Sequence, residues 1–156
     1  MYLFRFLLDR ANEDYALIFP PLELMQIKRF SIVMKKSGFD VVPSDYVNFL
    51  TWSDGLVWHD LELFSIYSHE RPDTIYLQPT LLEIQKKRLL GDAFMQKLVI
   101  GRASEELICF DTETKIYEIL DRFSYKPLLK FPRFVDLLYF YIRQNGIATS
   151  PTETGS

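Results

Sequence analysis

An α+β fold, with a mostly antiparallel twisted sheet flanked by N- and C-terminal helices, is the fold class that this sequence predicts. Apolar residues keep helical spacing near both ends of the chain, first in MYLFRFLLDR at residues 1–10 and again between Phe134 and Tyr141. In the second half of the chain the apolar residues instead form short β-prone runs, which are separated by polar turns. Helices at both ends with paired strands between them give the α+β class.

Two helices open the chain. Residues 1–10 favour an amphipathic helix over a signal peptide, because Arg5 interrupts the apolar run and no small-residue cleavage site follows. A second helix is predicted from Leu22 to Ser37, where apolar residues recur at helical spacing. Gly38 suits the left-handed conformation just past a helix end, and Phe39 can fold back on the last turn.

Residues 41–64, VVPSDYVNFLTWSDGLVWHDLELF, combine a short helix, a glycine stop and a strand. Pro43 has the φ angle of a helix start, and Asp45 places an acid in the first turn. Asp54-Gly55 ends the unit, since glycine tolerates a left-handed backbone, and leucines then alternate with acids as in a half-buried strand. Three residues on one helix face are predicted to be buried against the sheet: Tyr46, Phe49 and Leu50.

The remaining elements are predicted from the same helical and strand spacing of apolar residues. The runs 107–110 and 115–120 are predicted to pair as a hairpin through a turn at 111–114, although that turn has no glycine. The other predicted elements are strands at 74–77 and 98–101, the latter ending at Gly101, and two helices. One helix is predicted from Pro79 or Thr80 to Leu90, and the other starts at Phe131-Pro132-Arg133, has an apolar stripe that reaches Tyr141 and is ended by Gly146.

Length and composition indicate one domain at residues 1–147 and a disordered polar tail at residues 148–156. The chain has 156 residues, of which 48% are hydrophobic and 25% charged, as is typical of globular proteins. Cys109 is the only cysteine, so no intramolecular disulfide can form and a reducing cytoplasm is the compatible compartment. No apolar run is long enough to cross a bilayer, so no membrane partner is expected.

The distribution of charge predicts a protein partner. A net charge of −3 argues against nucleic acid, because phosphate binding needs a dense basic surface. Residues 40–73 hold seven acidic residues against Arg71 alone, a net charge of −6, so the rest of the chain is +3. Trp58 is expected to be exposed as an interface anchor, and Trp52 to pack inside. This acidic, aromatic stretch is predicted to be the partner-binding face, formed by Asp54, Trp58, His59, Asp60, Glu62, Glu70 and Asp73.

No residue pattern predicts catalysis, a metal site or a cofactor. Neither histidine lies at the spacing of a zinc motif, and Cys109 has an apolar strand position without the surroundings of an activated thiolate. Asp60 and Glu62 lie on one strand face, where solvation is favoured over the acid and base roles of a glycosidase. The basic run at 86–88 is typical of an outer helix face rather than of a nucleic-acid site.

These motifs resemble the signature of the SUKH superfamily, the Smi/Knr-like proteins. In that signature a proline, an aspartate-tyrosine pair, a phenylalanine-leucine pair and an Asn/Asp-Gly turn precede a strand. Residues 53–64, SDGLVWHDLELF, are similar to the YrhA branch, with His59-Asp60 where that branch usually has Asn-Gly. The resemblance covers residues 20–141, and the matching positions are Pro43, Asp45-Tyr46, Phe49-Leu50, Asp54-Gly55, Val99-Ile100-Gly101, Glu105-Glu106, Ile108 to Asp111 and Phe131 to Tyr141.

Resemblance to this family implies a non-catalytic protein that binds another protein. Bacterial SUKH members are similar to immunity proteins that neutralise secreted polymorphic toxins, many of them nucleases, so the implied mechanism is stoichiometric occlusion of a basic toxin domain. The alternative is a regulatory scaffold resembling the fungal cell-wall regulators, and an enzyme is the third hypothesis. We expect a monomer or a weak homodimer.

Overall fold

The computed structural model describes residues 2–72, 77–87 and 89–145, and within them the chain forms a seven-stranded antiparallel sheet with five α-helices. The helices are α1 (Tyr2–Glu13), α2 (Leu24–Lys36), α3 (Ser44–Leu50), α4 (Leu81–Lys86) and α5 (Phe134–Gln144). The strands are β1 (Leu17–Ile18), β2 (Leu56–Trp58), β3 (Leu61–Leu63), β4 (Lys97–Arg102), β5 (Glu106–Asp111), β6 (Ile116–Asp121) and β7 (Pro127–Phe131). Their order in the sheet follows the order in the chain, and the predicted α+β class is confirmed.

The helix ends follow the local sequence closely. After α2, the N–H of Gly38 donates to the carbonyl of Lys35 and the N–H of Phe39 to that of Met34, both at 3.0 Å, with Gly38 at a φ of 85°. This is the Schellman arrangement that Gly38 and Phe39 predicted. Helix α4 begins with a reciprocal capping box between Thr80 and Glu83, and it ends at Lys86 rather than at the predicted Leu90.

An aromatic cluster fills the core between the sheet and the terminal helices. Tyr46, Phe49 and Leu50 of α3 are fully buried, as their spacing predicted. The ring of Phe49 lies 5.8 Å from that of Phe4 on α1 and 5.2 Å from that of Phe134 on α5. Helix α3 therefore joins the two terminal helices, and aromatic pairs of this geometry add to the free energy of apolar burial.

Two hairpin turns use the same side-chain device in place of glycine. In the β5–β6 turn Asp111 Oδ1 accepts hydrogen bonds from the N–H groups of residues 113 and 114, and Lys115 takes a φ of 61°. In the β6–β7 turn Asp121 Oδ1 accepts from residues 123 and 124, and Tyr125 takes a φ of 60°. The aspartate supplies the local acceptor that stabilises such turns, which explains why the predicted hairpin forms without glycine.

Strand β7 was not predicted from the sequence. Phe131 is its last residue, so the expectation that Phe131 starts the terminal helix is wrong, and α5 begins at Phe134. The Pro132 ring prevents Phe131 from adopting a helical backbone, because the residue before a proline is restricted to extended conformations.

Gly55 and Gly101 allow two chain segments to approach strand β3. A Cβ atom on Gly55 would lie 2.8 Å from the carbonyl oxygen of Leu63, and one on Gly101 would lie 2.7 Å from that of Glu62. Gly55 also has a φ of 94°, although it does not end the signature helix, since α3 stops at Leu50. Both glycines are therefore needed for close packing around one strand.

Asp45 joins three elements through one carboxylate. Its Oδ2 accepts the N–H of Phe134, the first residue of α5, at 2.8 Å. Its Oδ1 accepts the N–H of Tyr46 at 3.1 Å and the hydroxyl of Tyr117 on β6. Burial and the nearby carboxylate raise the pKa of Tyr117, so its hydroxyl stays protonated as the donor.

None of the helices in the described residues is long and apolar enough to span a membrane. The predicted strand at 74–77 falls mostly on residues outside the described ranges, as do Asp73, Arg88 and the predicted tail at 148–156.

We expect Phe49→Ala to lower the free energy of unfolding by about 3–5 kcal/mol, because the substitution leaves a cavity among the rings of α1, α3 and α5. Urea denaturation measures this loss. The matched control is Phe123→Ala, since the Phe123 side chain is 77% exposed and its removal should change stability by less than about 0.5 kcal/mol. Equal midpoints for the two variants would contradict the packing.

We expect Asp45→Ala to cost about 2–3 kcal/mol, because the first N–H of α5 and the Tyr117 hydroxyl lose a charged acceptor. Asp45→Asn retains one acceptor oxygen and should recover part of this loss. Thermal and urea denaturation of both variants, with the exposed Asp9→Ala as control, measure the effect. An Asp45→Ala variant as stable as Asp9→Ala would show that the carboxylate does not hold α5.

Candidate protein-binding surface

Asp54 is fully buried, so its predicted place on a partner-binding face is wrong. Its carboxylate accepts the N–H of Ile66 at 2.8 Å and the N–H of Tyr67 at 3.2 Å. A third contact, at 2.8 Å, joins it to Nε2 of His69, whose ring stacks on Phe19. The buried carboxylate therefore organises the loop that follows β3, and it is not available to a partner.

Glu62 is also buried and is not an exposed acid as predicted. Its Oε1 lies 2.7 Å from Nη2 of Arg71 and its Oε2 lies 2.8 Å from Nε of Arg102. Two guanidinium groups therefore occupy both oxygens of this carboxylate with charge-assisted hydrogen bonds. Glu62 consequently cannot serve with Asp60 as an acid and base pair.

Trp58 is 1% exposed, so the expectation that it is a surface anchor is wrong. Its indole Nε1 donates to Oδ2 of Asp14 at 3.1 Å. Trp52 is partly buried against the core, in the direction predicted. The alternation of β2 decides the position of Trp58, because Leu56 and Trp58 share the strand face that is buried.

The other predicted residues lie on two different segments of the chain. His59, Asp60 and Glu70 are exposed, and Asp73 lies outside the described residues. His59 and Asp60 form the two-residue turn between β2 and β3, where Trp58 pairs with Leu61. Only these two of the predicted residues belong to the surface described next.

Four carboxylates lie on neighbouring turns along one end of the sheet, and we call this surface the acidic end: Asp14, Asp60, Glu105 and Glu106. Asp60 Oδ2 accepts from the N–H of Ser104 at 3.2 Å and from its hydroxyl at 3.0 Å, which brings the β2–β3 turn against the β4–β5 turn. Asp14 Oδ2 lies 2.6 Å from Nε2 of His59, which adds the turn after α1. Three turns that are distant in sequence thus build one acidic surface.

Asp60, Glu105 and Glu106 lie close enough for their charges to interact. Burial raises the pKa of Glu106, and the carboxylates of Asp60 and Glu105 raise it further, although a hydrogen bond from the Tyr141 hydroxyl works in the opposite direction. Burial and the carboxylates of Glu106 and Asp60 likewise raise the pKa of Tyr141. Arg122 is a cation beside this group, with Nη1 3.4 Å from the carbonyl of Ser104.

Two aromatic side chains project from the same end of the sheet. Tyr15 is 92% exposed and Phe123 is 77% exposed. Phe123 lies in the β6–β7 turn, which the N–H of Arg122 joins to the carbonyl of Glu105 at 2.9 Å. Tyr15 and His59 have φ values of 64° and 54°, which are uncommon for residues other than glycine. Exposed aromatic rings on turns of this kind are typical of protein-binding surfaces.

A buried ion cluster lies toward the opposite end of the sheet. Lys97 Nζ donates to Oε2 of Glu118 at 2.6 Å and to Oδ2 of Asp111 at 3.2 Å. Burial alone would lower the pKa of Lys97, but the bonds to the two carboxylates raise it. Burial alone would raise the pKa of Asp111, but its bonds with Thr114 N–H, Lys97 and Glu113 N–H lower it. These charges stabilise the strand pairing and are not exposed to a ligand.

Cys109 lies on β5, between β4 and β6, and its thiol is enclosed in the core. Its side chain is fully buried on β5, as its strand position predicted. Burial raises the pKa of the thiol to about 12, so the thiolate is not populated near neutral pH.

The described part of the chain does not bring three potential metal-ligating side chains together in one group. Comparison with protein-family models and with curated proteins gives no match to this chain. The SUKH resemblance therefore depends on the short motifs quoted above, together with the α+β fold that it implies.

The sequence prediction missed Asp14, Tyr15, Glu105, Glu106 and Phe123. One signal for Glu105 and Glu106 was present, because they occupy the acidic link between two predicted strands. Their proximity to Asp60 follows from the pairing of Glu62 with Arg102 between β3 and β4. That register depends on long-range strand order, which local periodicity does not give.

We expect Asp111→Asn to lower the free energy of unfolding at pH 7 by about 1.5–3 kcal/mol, because Lys97 loses one of its two carboxylate acceptors. The folded pKa of Asp111 is lowered, so its stabilisation is present above the ordinary aspartate pKa of about 4 and is lost as pH falls through the lower folded value. The difference between wild type and variant should therefore be constant from about pH 7 to pH 5 and shrink below about pH 4.

Urea denaturation at a series of pH values measures this difference. Glu113→Gln, an exposed change in the same turn, is the control and should stay within about 0.5 kcal/mol of wild type. If the difference in free energy of unfolding between wild type and Asp111→Asn grew as the pH fell, the assigned ion cluster would be contradicted.

Proposed function

We propose that this chain is a non-catalytic protein-binding domain that acts in the cytoplasm as an immunity protein, neutralising a cognate secreted toxin by stoichiometric binding. The observation that carries the proposal is the acidic end. There, Asp14, Asp60, Glu105 and Glu106 lie on three neighbouring turns, and Tyr15 and Phe123 are exposed on the same end of the sheet. The motif resemblance to SUKH proteins supports the same class.

The acidic end fits a basic toxin domain such as a nuclease. Nucleases carry cationic surfaces that bind phosphate, and clustered carboxylates accelerate the encounter with such a surface. Exposed aromatic rings then bury large apolar areas in the complex and slow dissociation. Occlusion of this kind requires one copy of the chain for each toxin domain, with no turnover.

The partners of the reactive groups support a binding role over an enzymatic one. Glu62 is held between two arginines, Asp54 is held by backbone N–H groups and a histidine, and the Cys109 thiol is buried. A general acid or base needs access to substrate and a pKa near the working pH. These three groups instead stabilise loops and strand pairs.

Surface kinetics with a toxin domain encoded beside the gene for this chain test the proposal. We expect the double variant Asp60→Lys, Glu105→Lys to slow association at least tenfold at low salt and to weaken its salt dependence, because steering depends on these charges. Tyr15→Ala should instead speed dissociation at least tenfold, since an anchor contributes mainly after the encounter.

Glu113→Lys reverses an exposed charge at the opposite end of the sheet and is the matched control, with rates expected within twofold of wild type. Circular dichroism and thermal melts establish that each variant is folded. A folded double variant that associates at the wild-type rate would exclude the acidic end as the binding surface. Failure of the wild-type chain to protect cells that express the toxin domain would exclude immunity and favour the regulatory scaffold.

A further inference from the structure

Strand β7 forms one edge of the sheet and presents an unusually apolar surface for an edge. It pairs with β6 on one side, and among the described residues no strand pairs with its other side. Leu128 is 52% exposed and Leu129 is 40% exposed. Backbone N–H and C=O groups on a sheet edge are a template for the addition of another extended strand.

An aromatic groove lies beside this edge. It has a volume of about 420 Å³ and runs between the end of β7 and the outer side of α5, lined by Phe131, Tyr139, Phe140 and the polar side chains of Asp136, Arg143 and Gln144. The rings of Phe131 and Phe140 are 5.6 Å apart, and the Arg143 guanidinium lies 5.8 Å from the ring of Tyr139. A groove of this size accepts a large apolar side chain.

The register of β7 places Leu129 and Phe131 on the groove side. Leu129 pairs with Ile119 and Phe131 with Tyr117, and both partners are buried on the sheet face that packs against the helices. Leu129 and Phe131 therefore share the face covered by α5. An added strand at this edge would direct every second side chain toward the same groove.

Positive charge surrounds both the edge and the groove. From residue 126 to residue 144 the chain carries Lys126, Lys130, Arg133 and Arg143, with Asp136 as the one acid. Arg133 contacts both carboxylate oxygens of Asp136 at 2.9 Å, so this acid is neutralised locally. The potential at the edge is therefore opposite in sign to that of the acidic end.

We propose that β7 and the adjacent groove form a second docking site, which binds an extended acidic segment of a protein partner by strand addition. The partner's backbone pairs with the free edge of β7, one apolar side chain enters the groove, and its carboxylates meet Lys126, Lys130 and Arg143. Pairing with β7 of a second copy is disfavoured, because it would bring Lys126 and Lys130 of both copies close together. The recognised chemistry is an alternation of acidic and apolar residues in an extended chain.

A synthetic peptide tests this site directly. The probe is a fluorescein-labelled peptide with alternating residues, Gly-Glu-Leu-Glu-Leu-Glu-Leu-Glu-Gly, titrated with the full chain and followed by fluorescence anisotropy. A second peptide replaces each glutamate by lysine, and a third replaces the central leucine by proline, which removes a backbone donor. We expect saturable binding of the glutamate peptide and at least tenfold weaker binding of the other two.

Variants of the chain locate the binding. Lys130→Glu should weaken binding of the glutamate peptide at least tenfold, and Phe140→Ala should weaken its binding about fivefold or more. Lys28→Glu makes the same charge change on the exposed side of α2 and should stay within twofold of wild type. Thermal melts establish that each variant is folded. If the Phe140→Ala variant is unfolded, chemical-shift changes in the wild-type chain on addition of peptide should fall on residues 127–131 and on α5.

Three results would overturn the proposal. The first is no binding of the glutamate peptide at millimolar concentration. The second is equal loss in Lys28→Glu and Lys130→Glu, which would show only nonspecific charge attraction. The third is sedimentation of the chain as a dimer that Lys130→Glu alters, since this would make a second copy the occupant of the edge.

Discussion

The carboxylate of Asp45 is the constraint on which the packing of the helical layer depends. It is placed at the start of α3 and accepts the first N–H of α5 and the hydroxyl of Tyr117 on β6. Helix α5 is distant from α3 in sequence, so a single acceptor fixes both its start and its distance from the sheet. The rings of Tyr46, Phe49 and Phe134 can then meet at 4.9–5.7 Å, and this aromatic contact extends to Phe4 of α1. An aspartate that resembles a simple first-turn acid in the sequence therefore has a tertiary role.

The same use of acids recurs on other parts of the sheet. Asp54 holds the loop after β3, Glu62 joins two arginines, and Glu118 shares Lys97 with Asp111. Asp54, Glu62 and Asp111 each accept from at least two donors, and Glu118 accepts from the ammonium group of Lys97, since a buried charge needs such partners. Acidic residues in this chain consequently divide into those that complete the fold and those that remain in solvent. Only the second group contributes to the field that an approaching partner meets.

This division explains which features of the structure could be predicted from the sequence. Local patterns were enough for the Schellman end of α2, for the buried face of α3 and for the β5–β6 hairpin, because each depends on residues a few positions apart. The acidic end could not be predicted, since the net charge of residues 40–73 does not reveal that Asp54 and Glu62 are enclosed. Tyr15 and Glu105 are brought to the same end of the sheet as Asp60 only by the register of the strand pairs. Strand β7 was missed because Pro127 and Lys130, residue types that are depleted in strands, give it a weak strand signal.

The β6–β7 turn connects the two candidate surfaces and gives them opposite preferences. Asp121 holds this turn so that Phe123 is exposed beside the acidic end, while Lys126 begins the basic edge of β7. A basic partner is attracted by Asp60 and Glu105 and repelled by Lys126 and Lys130. An acidic segment is attracted by the two lysines and repelled by the two acids. Discrimination between ligands needs such unfavourable contacts as well as favourable ones. The separation of charge across one short turn would therefore keep the two proposed binding surfaces distinct without a boundary between domains.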